Sequence, residues 1–260
     1  MSDGRDDGSA GYGSASYGDA FADVYDDWYG DSPTVASSDL NTTVQFLCDL
    51  ANGGPVLELG VGTGRIALPL AAAGISVVGV DASDAMLAKL AAKPDGKQVA
   101  TVCADMAGEL PTGPFQLVFI AINTFFNLTS RNQQVACMRN VAERLTDEGS
   151  FVIEAFVPDL ERYGSGLSLR TVDLGGTVLS ASSTDRERQV ITGQYIELQD
   201  GHLPRLRPWQ ICFQTPDQID EMAGQAGFSR TARWANWAKE PFTDESSHHV
   251  SVFQRRRRIR

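Results

Sequence analysis

At 260 residues with 42% hydrophobic side chains, the chain is long enough for one large domain with an insertion and can bury a proper core. Its net charge of −11 and pI near 4.7 argue against a nucleic-acid partner, since phosphate repels a chain of this sign. No apolar stretch approaches the roughly 20 residues that span a bilayer. Nothing at the Met1 end reads as a signal peptide, so a soluble cytoplasmic protein is expected.

Residues 1–16 are rich in Gly, Ser and Asp and are expected to form a disordered leader. From Tyr17 the texture changes: Phe21, Val24, Tyr25, Trp28 and Tyr29 recur at spacings of three and four, the mark of one amphipathic helix over 17–29. Asp39 is placed to cap a second helix running to Leu50, which Asn52-Gly53-Gly54-Pro55 stops. Strands and helices then alternate. Strands are expected at Val56–Gly60, Ile75–Val80, Gln98–Cys103, Phe115–Ile122 and Ser150–Val157, with helices near Gly64–Ala73, Ser83–Ala92 and Arg131–Leu145. This βα alternation predicts a parallel sheet covered on both faces.

Residues 158–213 break the alternation. Three successive strands are expected, at Arg170–Leu179, Arg188–Leu198 and His202–Phe213, with Asp200-Gly201 as the turn between the last two. They form an inserted antiparallel subdomain, read either as a wall of an acceptor pocket carrying Arg205, Arg207 and Trp209 or as a homodimer contact. Thr215-Pro216-Asp217 then opens a helix, and Phe228–Ala235 and His249–Phe253 are two final strands joined by an antiparallel return. Arg255–Arg260 form a basic tail, and Cys48, Cys103, Cys137 and Cys212 lack metal-ligand or redox spacing, so no metal site is expected.

The chemistry is concentrated where the first strands end. Glu58 is followed by Gly60, Gly62 and Gly64 at alternate positions, letting the backbone turn sharply and approach a ligand at the carboxyl edge of a strand. Asp81 ends the second strand, where a carboxylate accepts both hydroxyls of a ribose or caps the helix that follows. Asp105 lies just past the third strand, within reach of an adenine amino group. Dinucleotide sites space their glycines G-x-G-x-x-G and set a pyrophosphate over a helix N-terminus. Here the spacing is G-x-G-x-G with three acids, which suits a cofactor with ribose, adenine and an amino-acid tail but no phosphate.

On these residues the chain resembles the class I S-adenosylmethionine (SAM)-dependent methyltransferases, over about residues 17–157 and 214–253. The run from Glu58 to Arg65 is similar to the family's first motif. Asp81-Ala82 through Leu87 is similar to the second, with Met86 packing on the adenine. Asp105-Met106 resembles the third, and Phe119–Phe126, which holds Ile122 and Asn123, resembles the segment bordering the methionine part and the substrate. The Tyr/Trp-rich start, with Tyr17 and Tyr25, and the insertion are also similar to small-molecule members, including sugar N-methyltransferases of antibiotic pathways.

The resemblance implies a Rossmann-like α/β fold: a seven-stranded sheet of five or six parallel strands plus an antiparallel final strand, with helices on both faces. The cofactor-binding domain covers 17–157 and 214–254. The implied reaction moves the sulfonium methyl to an N or O nucleophile of a small molecule, such as a natural-product or amino-sugar intermediate, and leaves S-adenosylhomocysteine. The other readings are a protein or RNA methyltransferase, a SAM-binding module without catalysis, and a dehydrogenase, which the glycine spacing disfavours. The Tyr17–Tyr29 helix is read as a lid over the cofactor or as plain core. A final antiparallel strand begins at the cofactor edge, so His249, or else His248, is expected to face the acceptor as a base; the alternative is that both belong to a surface loop.

Overall fold

The computed structural model describes residues 12–29, 39–159, 166–173 and 177–256. Residues 56–255 contain a seven-stranded sheet in the order β10-β11-β5-β4-β1-β2-β3. Its strands are β1 (Val56–Leu59), β2 (Val77–Asp81), β3 (Ala100–Cys103), β4 (Phe115–Ile120), β5 (Leu145–Phe156), β10 (Phe228–Trp234) and β11 (His248–Arg255). β1 to β5 pair in parallel, and β11 is antiparallel to both β5 and β10. Six strands therefore run one way and one runs against them.

Alternation along each strand divides the apolar residues between two helical layers. Leu57, Val118, Phe151 and Phe253 face α6 (Arg131–Arg144) and α7 (Pro216–Gln225) through Met138, Val141, Ile219 and Met222. Val56, Phe119, Val152 and Val250 face α3 (Leu40–Ala51), α4 (Ala67–Ala72) and α5 (Asp84–Ala92) through Phe46, Leu70 and Leu90. Being covered on both faces, β1 and β4 are nearly continuous apolar runs, which made them legible in the sequence.

Helix ends follow local chemistry. Ser83 and Ser130 cap α5 and α6 by accepting from backbone amides. Thr215 and Gln218 form a reciprocal capping box at α7, with Pro216 in its first turn. Asp39 holds the cap position of α3, but its side chain makes no capping bond. Asn52 ends that helix in the left-handed region at φ 45°.

Two expectations are corrected. The single helix over 17–29 is two short helices, α1 (Ser16–Phe21) and α2 (Tyr25–Tyr29), joined by a turn at Ala22–Val24. The insertion holds four strands rather than three: β6 (Gly166–Asp173), β7 (Thr177–Asp185), β8 (Val190–Leu198) and β9 (Arg205–Cys212), in sequential antiparallel order. The expected strand Arg170–Leu179 straddles the connection between β6 and β7.

The proposed leader and tail are both divided. Residues 1–11 and 257–260 lie outside the described residues. The Tyr12 hydroxyl accepts a hydrogen bond from the Gln210 amide on β9, and Arg256 Nε donates to the Phe228 carbonyl.

Candidate active site

The site grows from the end of β1. The Gly60 and Val61 amides donate to the Val80 carbonyl, so the chain turns across the end of β2 at once. Gly60 and Gly62 hold φ of +74° and +52°, which a side chain strains to adopt. A Cβ at Gly60 would drive into the Thr124 side chain; a Cβ at Gly62 would project into open space of the cleft. The glycines leave bare backbone where a ligand can approach.

Asp81 closes the other side. Its Oδ2 accepts from the Gly62 amide at 2.8 Å and its Oδ1 from the Ser83 amide at 2.9 Å. A carboxylate offers about four acceptor positions, so capacity remains for a pair of ribose hydroxyls. Burial raises its pKa, opposed by those two amides. The capping alternative is settled by Ser83, whose hydroxyl caps α5 itself. Asp105 lies opposite, with Oδ1 held by the Ala107 amide at 2.8 Å.

A cleft of about 620 Å³, counting its open mouth, lies over these groups. Of the residues singled out in the sequence, Gly60, Gly62, Asp81, Ala82, Met86, Asp105 and Met106 line it from the sheet edge. Tyr17 and Tyr25 line it from the α1–α2 strap. Thr124, from the expected Phe119–Phe126 stretch, lines it as well, and so do Ser14, Gly18, Asn127 and Leu128, which were not anticipated. The signal for Gly18 was a glycine beside the aromatic stripe: a Cβ there would strike Ser83 and Met86, so the strap lies directly on α5.

Other expected residues lie elsewhere. Glu58 is buried under the glycine loop with Oε2 unpartnered, and burial, with Asp81 nearby, holds its carboxyl far above the usual range. Gly64 packs against Leu90 and Leu68. Arg65 donates from Nη1 to the Tyr29 carbonyl at 2.8 Å and, with Ile122, lines a smaller cavity of about 270 Å³ that also touches Glu154 and Trp237. Ile122 and Asn123 do not line the main cleft: they are the pinned turn after β4, with φ of +54° and +62°. The Ile122 amide donates to Glu154 Oε2 at 2.8 Å, and Asn123 Oδ1 accepts from the Phe156 amide.

The histidine reading is corrected. His249 is 0% exposed, bonded through Nδ1 to Ser251 Oγ, edge-on to Phe242, and absent from the cleft wall. Burial, then Arg233 and His248, lowers its pKa to about 3. Its strand does start at the cofactor edge, but its side chain takes the same face as Ser251 and Phe253. His248 lies beside Ser247 in a shallow depression formed by the 235–247 loop. Arg205, Arg207 and Trp209 do not line the cleft either: both arginines pair with Asp23, and Trp209 packs on Gly193 and Tyr195.

No Lys, Arg or His is among the described residues lining the cleft, which instead presents Asp81, Asp105 and hydroxyls. Such a wall suits a cofactor carrying sulfonium and ammonium charges and disfavours a pyrophosphate. The bare backbone at Gly62, the acid at the end of β2 and apolar Met86 and Leu128 fit SAM. The described residues contain no group of His, Cys, Asp or Glu able to hold a metal ion, and no helix long and apolar enough to cross a membrane.

Known proteins agree with this geometry. Residues 56–149 match a family described as a methyltransferase domain. The chain is 30% identical over 207 residues to the cypemycin N-terminal methyltransferase of a Streptomyces species, covering 78% of this chain and 84% of that one. It is similar in structure to the CcbJ methyltransferase from Streptomyces caelestis, with TM-score 0.86, 37% identity, and 94% and 99% of the two chains covered. The sugar N-methyltransferase KedS8 from a Streptoalloteichus species shares the fold at TM-score 0.66 and 17% identity, with 90% and 92% covered. With the cleft, its acids and these relatives in agreement, the chain belongs to the SAM-dependent methyltransferases.

Proposed function

We propose that this enzyme methylates an amine nitrogen of a small molecule, of the amino-sugar or natural-product type. The observation that carries the reading is the absence of a general base among the described residues lining the cleft. Asp81 and Asp105 belong to the cofactor side, and the remaining polar groups are hydroxyls and the Asn127 amide. Burial holds Tyr17 well above its ordinary pKa and Tyr25 up at about 12, so both stay protonated at neutral pH. A hydroxyl acceptor needs its proton removed as the bond forms, whereas a neutral amine attacks with its own lone pair. The names of the cypemycin and KedS8 relatives, an N-terminal and a sugar N-methyltransferase, support a nitrogen acceptor.

Bound SAM supplies an activated methyl group on a sulfonium centre. The protein's share is placement and exclusion of water. Asp81 holds the glycine loop through the Gly62 amide and keeps free capacity for the ribose. Asp105 faces the base. Tyr17 and Tyr25 cover the donor from the strap, and their hydroxyls can accept from an amine N–H and so aim its lone pair. The transferred positive charge ends on nitrogen, beside aromatic rings that favour a cation. Arg65, at the neighbouring cavity, is the guanidinium available to the amino-acid end of the cofactor. The four cysteines are free thiols, which fits a cytoplasmic enzyme.

The test is turnover of SAM with matched amino and hydroxy sugars and phenols across pH 6–10. Amine acceptors should react with kcat/KM rising tenfold per pH unit below the acceptor's own pKa, then levelling. Turnover confined to hydroxyl acceptors, with a pKa that belongs to the enzyme, would overturn the nitrogen assignment.

A further inference from the structure

We propose that Arg207 is a positioning residue for methyl transfer: it seats the α1–α2 strap, and with it Tyr17 and Tyr25, over the cofactor. Arg207 lies on β9 of the insertion, and its side chain is 1% exposed. Nη1 donates to the Ala20 carbonyl at 2.6 Å and to Asp23 Oδ1 at 2.7 Å, and Nη2 to Asp23 Oδ2 at 3.1 Å. Nε and Nη2 donate to Glu197 Oε2 at 3.2 and 2.9 Å. The guanidinium carbon sits 5.4 Å from the centroid of the Trp28 ring.

These partners have a common meaning. Ala20 lies in α1, Asp23 in the turn and Trp28 in α2, so one rigid guanidinium meets both helices and their connection and sets the angle between them. Tyr17 lies on the first helix and Tyr25 on the second, and both line the cleft. An apolar residue would hold the strap down as well as a buried charge, which is costly to desolvate. What the fork adds is a single angle.

The two sides of the strap are held unequally. Towards the insertion, Arg207 is reinforced by buried Phe21 and Trp28, each with its ring centroid 5.7 Å from that of Tyr195. Towards the sheet edge the strap has the close approach of Gly18 to Ser83 and Met86, and otherwise polar bonds. The Ser83 hydroxyl donates to Asp19, and the Thr63 hydroxyl and Lys93 donate to Asp26, whose side chain is 43% exposed. The Lys93–Asp26 pair is exposed and contributes little, which leaves single hydrogen bonds from the buried Ser83 and Thr63 hydroxyls. The cleft therefore opens along the seam between strap and sheet edge, with the strap remaining seated on the insertion.

The experiment uses the full chain and needs no acceptor. Dissociation of radiolabelled SAM, chased with unlabelled SAM, is measured beside hydrogen exchange and Tm. Arg207→Lys keeps the charge but loses the fork, and Asp23→Asn alters a partner that is 41% exposed and so spares folding. Both should release SAM about tenfold faster and raise exchange in 16–29 while 56–103 stays protected. Asp26→Asn, at the seam, should speed release without loss of protection in 16–29. Release at the wild-type rate in both Arg207→Lys and Asp23→Asn would overturn the proposal. So would loss of protection spread equally over 56–103, the mark of general destabilisation.

Discussion

The Gly62 amide donates to Asp81 Oδ2 at 2.8 Å, so the loop after β1 and the acid ending β2 form one hydrogen-bonded unit. Replacing Asp81 by Ala removes the tie on the loop and, with it, the carboxylate proposed to accept the ribose hydroxyls. SAM affinity should fall by roughly 1.5–3 kcal/mol, the range for a hydrogen bond to a charged group. Calorimetric titration of Asp81→Ala with SAM checks this, and unchanged affinity would remove Asp81 from the cofactor site.

Glu154 is 3% exposed and accepts from the amide of Ile122, a β-branched residue at positive φ. Glu154→Ala leaves that amide without its acceptor and frees a strained turn, a loss of about 1–3 kcal/mol. For a chain of this size the expected drop in Tm is about 2–4 °C per kcal/mol. Thr124 and Asn127 follow the same turn into the cleft, so SAM affinity should fall too. Glu154→Gln retains an acceptor and should recover most of both losses.

His249 has a folded pKa of about 3 against an ordinary value of 6.5. The unfolded chain therefore binds a proton that the folded chain refuses. This contribution to stability is fully present above about pH 6.5 and is lost as pH falls towards 3. At pH 5 the loss is about 2 kcal/mol relative to pH 7, from roughly 1.4 kcal/mol per pH unit. Urea unfolding of the wild type and His249→Asn at both pH values isolates the term, since the variant lacks it. Because His249 lies outside the cleft, the variant should keep its rate profile across pH 6–9.

Gly18 carries no Cβ because Ser83 and Met86 occupy that space. Gly18→Ala should lift the strap and weaken SAM binding about tenfold, while the sheet keeps its Tm within a few degrees. Gly13→Ala is the control, since nothing lies within 4 Å of a Cβ there. Equal affinity in the two variants would show that strap contact does not contribute to cofactor binding.

The centre of the sheet was legible because β1 and β4 are nearly continuous apolar runs and because β1 and β2 end at Gly60 and Asp81. Val56–Leu59 and Asp81 need no distant information to be read. The parity of β11 was not legible: His248 and His249 are adjacent, and only the packing of Phe253 against Phe151 decides which face each takes. The break in the strap was hidden for a similar reason. Tyr17 to Tyr29 keep helical spacing across the turn, and Arg207, which holds the turn through Asp23, lies 184 residues further along the chain. The aromatic stripe proved to be both core and cover, with Phe21 and Trp28 turned inward and Tyr17 and Tyr25 on the cleft. In the insertion, the expected strand Arg170–Leu179 ran together the end of β6 and the start of β7, which its residue pattern did not separate.

The placement of β11 between β5 and β10 also dictates an order of assembly. Phe228–Trp234 is synthesised before His248–Arg255, yet among the described residues its ladder in the sheet is with that later strand alone. On a ribosome, the first five strands can pair as they emerge, while the sixth must wait with its hydrogen-bonding edge bare. A nascent chain stalled near residue 240 would therefore expose the open edge of β5 together with an unpaired strand. That intermediate is the one chaperones would need to shield, and premature stop codons in this region should yield aggregates rather than a smaller working enzyme.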